Sequence, residues 1–207
     1  LTKQELQEPK ANEYAAIIAR EVKRMEEMLG NILSFSKKQL VCFEECNLKN
    51  VLQEIFDLEY DHCHRQGIKF DFALAHNLPV VLGDYRQLRQ VFLNLTINAR
   101  QVMNEGGVLT VSARTGSLRG EKAVVVEVRD TGGGIKPEVM RNIFNPFFST
   151  FAKGTGLGLS ISHRIIEHHH GQIEVVNSEK GARFIVSLPV VPPAGASPGS
   201  AEKEKAG

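Results

Sequence analysis

The sequence predicts an α+β fold preceded by one long helix, and three features of its hydrophobic pattern indicate this class. Apolar and small residues recur at alternating intervals of three and four between residues 11 and 38, which is the spacing of a helix that packs against other helices. After Gly67 the apolar period changes to two, as in strands. Helical and strand patterns then alternate as far as residue 189, with two glycine-rich segments among them.

The first predicted helix is suited to a helical bundle. Its apolar stripe is wider than the seam of a two-stranded coiled coil, and a lone helix of this length would extend beyond a small core. We therefore divide the chain into a bundle region (1–40), a globular domain (41–190) and a disordered tail (191–207). The tail is rich in proline and has no strong apolar period.

Each element of the globular domain has its own local signal. Asn47 can cap a helix that runs to about Arg65 and stops at Gly67. We expect the inner face of that helix to consist of Leu48, Val51, Leu52, Ile55 and Leu58. The segment 68–74 alternates as a strand, and Asp84 can cap a third helix.

The remaining elements follow from turn residues and apolar alternation. We predict a hairpin from the segments that begin at residues 108 and 123, and a helix from the second glycine-rich segment to about His169. A final pair of strands is predicted at 173–176 and 182–189.

Composition and charge exclude several classes of function. The formal net charge is +1, from 25 basic and 24 acidic residues, so the overall charge does not favour nucleic acid as a partner. No stretch approaches the roughly 18 apolar residues of a membrane helix, and three clustered cysteines, Cys42, Cys46 and Cys63, do not suggest a disulfide framework. We expect a cytoplasmic chain that binds its anionic ligand locally, with any membrane contact made by segments outside this sequence.

Three segments carry the candidate chemistry. Asn94 and Asn98 are four residues apart and share one face of the third helix; an exposed polar stripe and a ligand-facing pair explain them equally well. Asp130 ends a strand and precedes three glycines, so the backbone can approach a flat ligand while the carboxylate accepts a hydrogen bond from an exocyclic amine. In residues 153–160, alternate glycines lead into a helix, whose N–H groups can cradle phosphates.

These motifs together resemble a known family. NLTINA, DTGGGI, FNPFFST and GTGLGLS look like the N, G1, F and G2 boxes of the sensor histidine kinases, in the same order. The resemblance covers residues 47–189, and NLTINARQVM is most similar to the nitrogen-regulation type. The preceding helix is similar to the second helix of the family's dimerisation and phosphotransfer hairpin, so residues 1–40 are expected to be part of that region.

The resemblance implies a two-layer α/β sandwich, the Bergerat fold, in which a mixed sheet packs on helices and ATP lies between the third helix and a lid. It implies that Asn98 coordinates Mg²⁺, that Asn94 lies near the phosphates, and that Asp130 binds the adenine amino group. Lys153 is the third implied catalytic residue, after the two asparagines. The other implied contacts to ATP are made by Arg100 or Gln101, by Gly132, Gly134 and Ile135 in the base pocket, by Phe144 and Phe147 in the lid, and by Gly154, Thr155, Gly156, Leu157, Gly158 and Leu159 around the phosphates.

An amide at position 94 suits phosphotransfer better than hydrolysis. In related ATP-hydrolysing enzymes a glutamate at this position activates water, whereas an amide cannot take a proton. A neutral imidazole is already a nucleophile, so transfer to histidine needs no strong base. The implied protein is a histidine kinase that uses ATP and Mg²⁺, dimerises through its hairpin helices and passes the phosphate to a response regulator.

The sequence departs from the family pattern at three places. None of its seven histidines has the H-E-x-x-N/T-P-like setting of the phosphoacceptor, so we expect a fragment that phosphorylates a hairpin only in trans. Phe151 stands where a lysine is usual, with Lys153 as the substitute. His170 replaces a glycine of the family's H-G-G motif, and His169 matches the histidine of that motif.

Other functions remain open on the sequence. An anti-sigma-type serine kinase shares the implied fold, although Asn94 and the heptad helix argue against it. A nucleotide-sensing interaction module without transfer activity is the third alternative. The triplet 168–170 and the Cys42, Cys46 and His62–His64 group lack a standard zinc spacing, so we interpret them as helix-end histidines that favour the helix dipole and as small buried cysteines.

Overall fold

The structure is a computed structural model that describes residues 13–19, 22, 42–151 and 154–190. Residues 13–19 are helical. Most of the predicted bundle region, the predicted tail and Lys153 lie outside the described residues, so the division of the chain into three regions stays a prediction.

The described globular part contains the helices and strands that the sequence predicts between residues 47 and 189, together with two three-residue strands and one four-residue helix that it does not predict. In chain order these elements are β1 (Glu44–Cys46), α1 (Leu48–Arg65), β2 (Ile68–Leu74), β3 (Val81–Gly83), α2 (Tyr85–Gln101), β4 (Gly107–Leu118), β5 (Glu121–Arg129), α3 (Pro137–Met140), α4 (Gly158–His168), β6 (Gln172–Asn177) and β7 (Ala182–Pro189).

The strands form a mixed sheet with helices on one face. Five strands lie in the order β2-β4-β5-β7-β6; β2 is parallel to β4, and the other neighbours are antiparallel. A separate antiparallel pair joins β1 to β3. The core lies between the five-stranded sheet and helices α1, α2 and α4, with α2 between the other two. This two-layer arrangement confirms the predicted fold class.

Side-chain caps determine where the two long helices begin. The Asn47 Oδ1 accepts a hydrogen bond from the Lys49 N–H at 3.0 Å, and Asp84 Oδ1 accepts from the N–H groups of Arg86 at 2.9 Å and Gln87 at 3.1 Å. Each side-chain oxygen serves as a hydrogen-bond acceptor for N–H groups of the first turn, which have no carbonyl partner within the helix. Both predicted caps are therefore confirmed.

One predicted inner-face position of α1 is wrong. Leu58 is 46% exposed, and the neighbouring Glu59 is the buried residue of that turn. The Glu59 Oε2 accepts a hydrogen bond from Arg100 Nε of α2 at 2.8 Å, and the two side chains are 6% and 17% exposed. The carboxylate of Glu59 faces inward because the partner that neutralises it lies on α2, a long-range pairing that no local pattern reveals.

We predict that Glu59→Ala lowers the free energy of unfolding by about 3 kcal/mol, because it leaves the Arg100 guanidinium desolvated without its counter-charge. Urea denaturation of the folded chain measures this change. The matched control is Asp71→Ala, which removes the exposed ion pair between Lys69 Nζ and Asp71 Oδ1 at 2.9 Å. This substitution should lower the free energy of unfolding clearly less. Equal losses in the two variants would contradict the assigned role of the buried pair.

Candidate functional site

Asn94 lies at the contact between α2 and the beginning of α4. Its Nδ2 donates a hydrogen bond to Ser162 Oγ at 3.1 Å, and that hydroxyl donates to the Gly158 carbonyl at 2.9 Å. A Cβ at Gly158 would fall on the Asn94 Oδ1. The side chain of Asn94 is therefore held in one orientation beside the first turn of α4, and a side chain at position 158 would require this carboxamide to shift.

Asn98 and Gln101 extend the polar face of α2 beyond Asn94. Asn98 is half-buried, and its carboxamide forms no hydrogen bond within the described part of the chain. Gln101, three residues further on, continues the face and is exposed. Arg100 does not share this face, because its guanidinium is paired with Glu59 of α1. The resemblance implies that Arg100 or Gln101 contacts ATP. Of these two residues, only Gln101 lies on the same face of α2 as the two asparagines.

The beginning of α4 offers main-chain N–H groups rather than a side-chain cap. Its N-cap residue, Leu157, makes no side-chain capping hydrogen bond, in contrast to Asn47 and Asp84 on the other helices. The first-turn N–H groups of such a helix are available to an anion, at the positive end of the helix dipole. The side chain of Leu157 is 1% exposed and Leu159 also packs on the core, so each can offer a ligand only its main chain.

The predicted phosphate loop packs directly on the predicted lid. Gly156 has a φ of +67°, and a Cβ there would fall on the main chain of Phe147, while a Cβ at Gly154 would fall on Ser149 Oγ. Phe144 packs against the core, with its ring centroid 5.1 Å from that of His163 of α4. Phe147 has its side chain 70% exposed. In this structure Phe144, and not Phe147, connects the lid to the core.

Asp130 lies at the end of β5 and is 3% exposed. Its Oδ1 accepts hydrogen bonds from the Gly132 N–H at 2.8 Å and the Ala182 N–H at 3.2 Å. Burial raises the pKa of this carboxyl, and the two N–H groups oppose the rise. Because both of these bonds end on Oδ1, the Oδ2 is the acceptor that remains for a ligand.

The glycine segment after Asp130 is held by residues that sequence reasoning missed. The Thr131 Oγ1 accepts a hydrogen bond from the Val108 N–H at 3.0 Å, and Gly132 packs against Val102 at the end of α2. The carboxamide of Asn177 is hydrogen-bonded to the main chain of Ile135. These partners are distant in sequence, so no spacing signal could have identified them.

His169 joins the end of α4 to the start of α2. Its ring is 1% exposed; Nε2 accepts a hydrogen bond from the Asp84 N–H at 2.9 Å, so Nδ1 carries the proton and donates to the Ile165 carbonyl at 2.7 Å. Burial lowers the pKa of this histidine. The interpretation of His169 as a helix-end histidine that favours the helix dipole is therefore wrong, because its two hydrogen bonds require a neutral ring, which carries no charge to interact with the dipole.

The family model described as histidine kinase-, DNA gyrase B-, and HSP90-like ATPase matches residues 83–192, more than half of the chain. The catalytic domain of the histidine kinase ThkA is 33% identical, with a TM-score of 0.63 over 72% of this chain and 96% of that domain. The chain belongs to this ATPase family, as a histidine kinase catalytic domain.

Two further relatives and a second solved structure agree with this assignment. Sporulation kinase E of Bacillus subtilis is 32% identical over 86% of this chain and 24% of its own length. Sensor histidine kinase ZraS of Escherichia coli O157:H7 is 34% identical over 87% of this chain and 39% of its own. Full-length ShkA in complex with AMPPNP is 26% identical, with a TM-score of 0.75 over 86% of this chain and 38% of that one.

The histidine kinase domain thus spans less than half the length of these curated relatives. Within its described residues, no helix has the length and apolar character needed to cross a membrane.

The lowered pKa of His169 predicts a pH dependence of stability. A histidine whose pKa in the folded state lies below its unfolded value of about 6.5 binds fewer protons when folded. Its effect on the free energy of unfolding is therefore absent above that pH, and the free energy of unfolding falls as the pH drops below it. We expect His169→Gln to make the loss of stability between about pH 7.5 and 5.5 shallower, as measured by thermal unfolding. The exposed His76→Gln is the matched control and should retain the slope of the unsubstituted chain; an unchanged slope in His169→Gln would refute the assignment.

Proposed function

We propose that this domain binds ATP with Mg²⁺ between α2, the loop 130–135 and the start of α4, and transfers the γ-phosphate to a histidine. The observation that carries the proposal is the contact of Asn94 with Ser162 and Gly158. It brings the polar face of α2 to an uncapped helix N-terminus, a combination suited to a phosphate chain with its counter-ion. The phosphates of one nucleotide would then lie at the start of α4, and its base would lie at Asp130.

The base end is assigned to Asp130 and the loop that follows it. The Asp130 Oδ2 would accept a hydrogen bond from the adenine amino group, while Oδ1 stays bonded to Gly132 and Ala182. Gly132, Gly134 and Ile135 would line the base, because glycine allows the main chain to approach a flat ring closely.

The phosphate end is assigned to α2 and the loop 153–159. The unengaged carboxamide of Asn98 fits Mg²⁺, which prefers uncharged or anionic oxygen ligands; when bound, the ion would neutralise charge on the phosphates. The loop from Gly154 to Leu159, together with the Thr155 hydroxyl and Lys153, would bind the triphosphate. The Gly154 N–H is bonded to the Phe151 carbonyl at 2.9 Å, so the main-chain N–H groups of the first turn of α4 would make the main contribution. Phe144 and Phe147 would belong to the lid that covers it.

The chemistry of Asn94 favours transfer over hydrolysis. Its amide cannot take a proton from water, and its hydrogen bond to Ser162 supports a role as a positioning group beside the phosphates. A neutral imidazole needs no such base to attack the γ-phosphorus. The domain therefore contributes mainly by orienting ATP, which suits a transfer that depends on positioning and charge neutralisation.

We extend the proposal to the whole protein on the support of its relatives. ThkA, with a TM-score of 0.69 and 30% identity, has been solved in complex with the response regulator TrrA. For this chain we propose a response-regulator receiver domain as partner, dimerisation through the hairpin helices that would include residues 1–40, and a cytoplasmic location of the domain. Any membrane contact would be made by segments outside this sequence.

The decisive experiment mixes the chain with Mg-ATP labelled at the γ-phosphate and with separately produced phosphoacceptor hairpins from the relatives. We expect acid-labile, base-stable label on a hairpin histidine, and about a hundredfold less with Asn98→Ala, because a ligand of the metal is lost. Asn50→Ala, an exposed asparagine of α1, is the matched control and should label normally. ATP binding without label on any hairpin would instead favour a nucleotide-sensing module.

A further inference from the structure

The turn between β6 and β7 is bonded to the loop that follows Asp130, and Asn177 makes the most complete of these contacts. Its Oδ1 accepts a hydrogen bond from the Ile135 N–H at 2.8 Å, and its Nδ2 donates to the Ile135 carbonyl at 2.9 Å. Both ends of one carboxamide are thus bonded to the main chain of one residue. This geometry fixes the orientation of the Ile135 peptide groups as well as their position.

Two further contacts place the same turn against Asp130. The Gly133 N–H donates to the Lys180 carbonyl at 2.9 Å, and the Ala182 N–H donates to Asp130 Oδ1 at 3.2 Å. A Cβ at Gly181 would fall on the main-chain carbonyl of Asp130. The turn and its flanking residues therefore contact the segment at Asp130, Gly133 and Ile135.

The loop needs this support because of its own composition. Gly133 and Gly134 have φ values of +88° and +79°. Glycine adopts positive and negative φ values with similar ease, so neither residue is restricted to this conformation by its own sterics. Two such residues in sequence leave the loop with little intrinsic stiffness. A bond at Ile135, directly after them, ends the flexible stretch and holds it beside the buried carboxylate.

We propose that Asn177 is a positioning residue for the adenine base: it holds Ile135 and the glycine loop at the distance from Asp130 that the purine ring occupies. This inference rests on the proposed ATP-binding function. Asn177 acts through the loop, so its contribution concerns the affinity for the base and not the affinity for the triphosphate, which α4 binds.

Asn177 can be changed without creating a cavity, since its side chain is exposed. Asn177→Ala removes both hydrogen bonds. Asn177→Asp keeps the shape and the acceptor but replaces the donor with an oxygen that faces the Ile135 carbonyl, so it separates hydrogen bonding from packing. The exposed Asn50→Ala is the matched control.

The test measures the dissociation constants of ATP and of inorganic tripolyphosphate, both with Mg²⁺, by displacement of a fluorescent ATP analogue. We expect each Asn177 variant to raise the dissociation constant for ATP about fivefold, a loss suited to solvent-exposed neutral hydrogen bonds. The constant for tripolyphosphate should stay within about twofold of the unsubstituted chain, and thermal unfolding of each variant confirms that it is folded.

The outcomes separate this inference from the function on which it rests. An unchanged ATP affinity in both Asn177 variants, or an equal loss for ATP and tripolyphosphate, would overturn the positioning role. If the unsubstituted chain bound neither ligand, the proposed function itself would be wrong.

Discussion

The contact between the Asn94 carboxamide and the first turn of α4 is the constraint on which the rest of the site depends. One helix brings a row of amides, the other brings first-turn main-chain N–H groups that have no side-chain cap, and the two meet where Gly158 has no side chain. The hydrogen bond to Ser162 keeps Asn94 in one orientation at this junction. The helices must pack this closely for a phosphate chain to meet both groups at once.

Buried polar groups elsewhere in the fold support this packing. The Glu59–Arg100 pair joins α1 to α2 on the side of α2 away from Asn94, and the neutral ring of His169 joins the end of α4 to the start of α2. At the other end of the site, the β6–β7 turn holds the loop after Asp130. Each connection links segments that are distant in the chain, so the position of the site is a property of the whole fold.

Local signals predicted the elements well, and long-range pairs account for what was missed. Asn47, Asp84 and Gly67 act on their own neighbours, so their caps and the helix end could be read from the sequence. Leu58 was misplaced because Glu59 has a buried partner, Arg100, 41 positions further on. Asn177 gave no signal, and His169 matched a family motif that does not state its structural role, since both roles depend on which main-chain groups the fold brings beside them.

The contact between Asn94 and Gly158 can be measured through the stability effect of Gly158→Ala in two backgrounds, the unsubstituted chain and Asn94→Ala. We expect the new Cβ to lower the free energy of unfolding by about 1–3 kcal/mol in the first background, through its collision with the carboxamide. In the second background the carboxamide is absent, so the same substitution should cost nothing or stabilise α4 slightly. An equal loss in both backgrounds would show that Asn94 does not lie where the account places it.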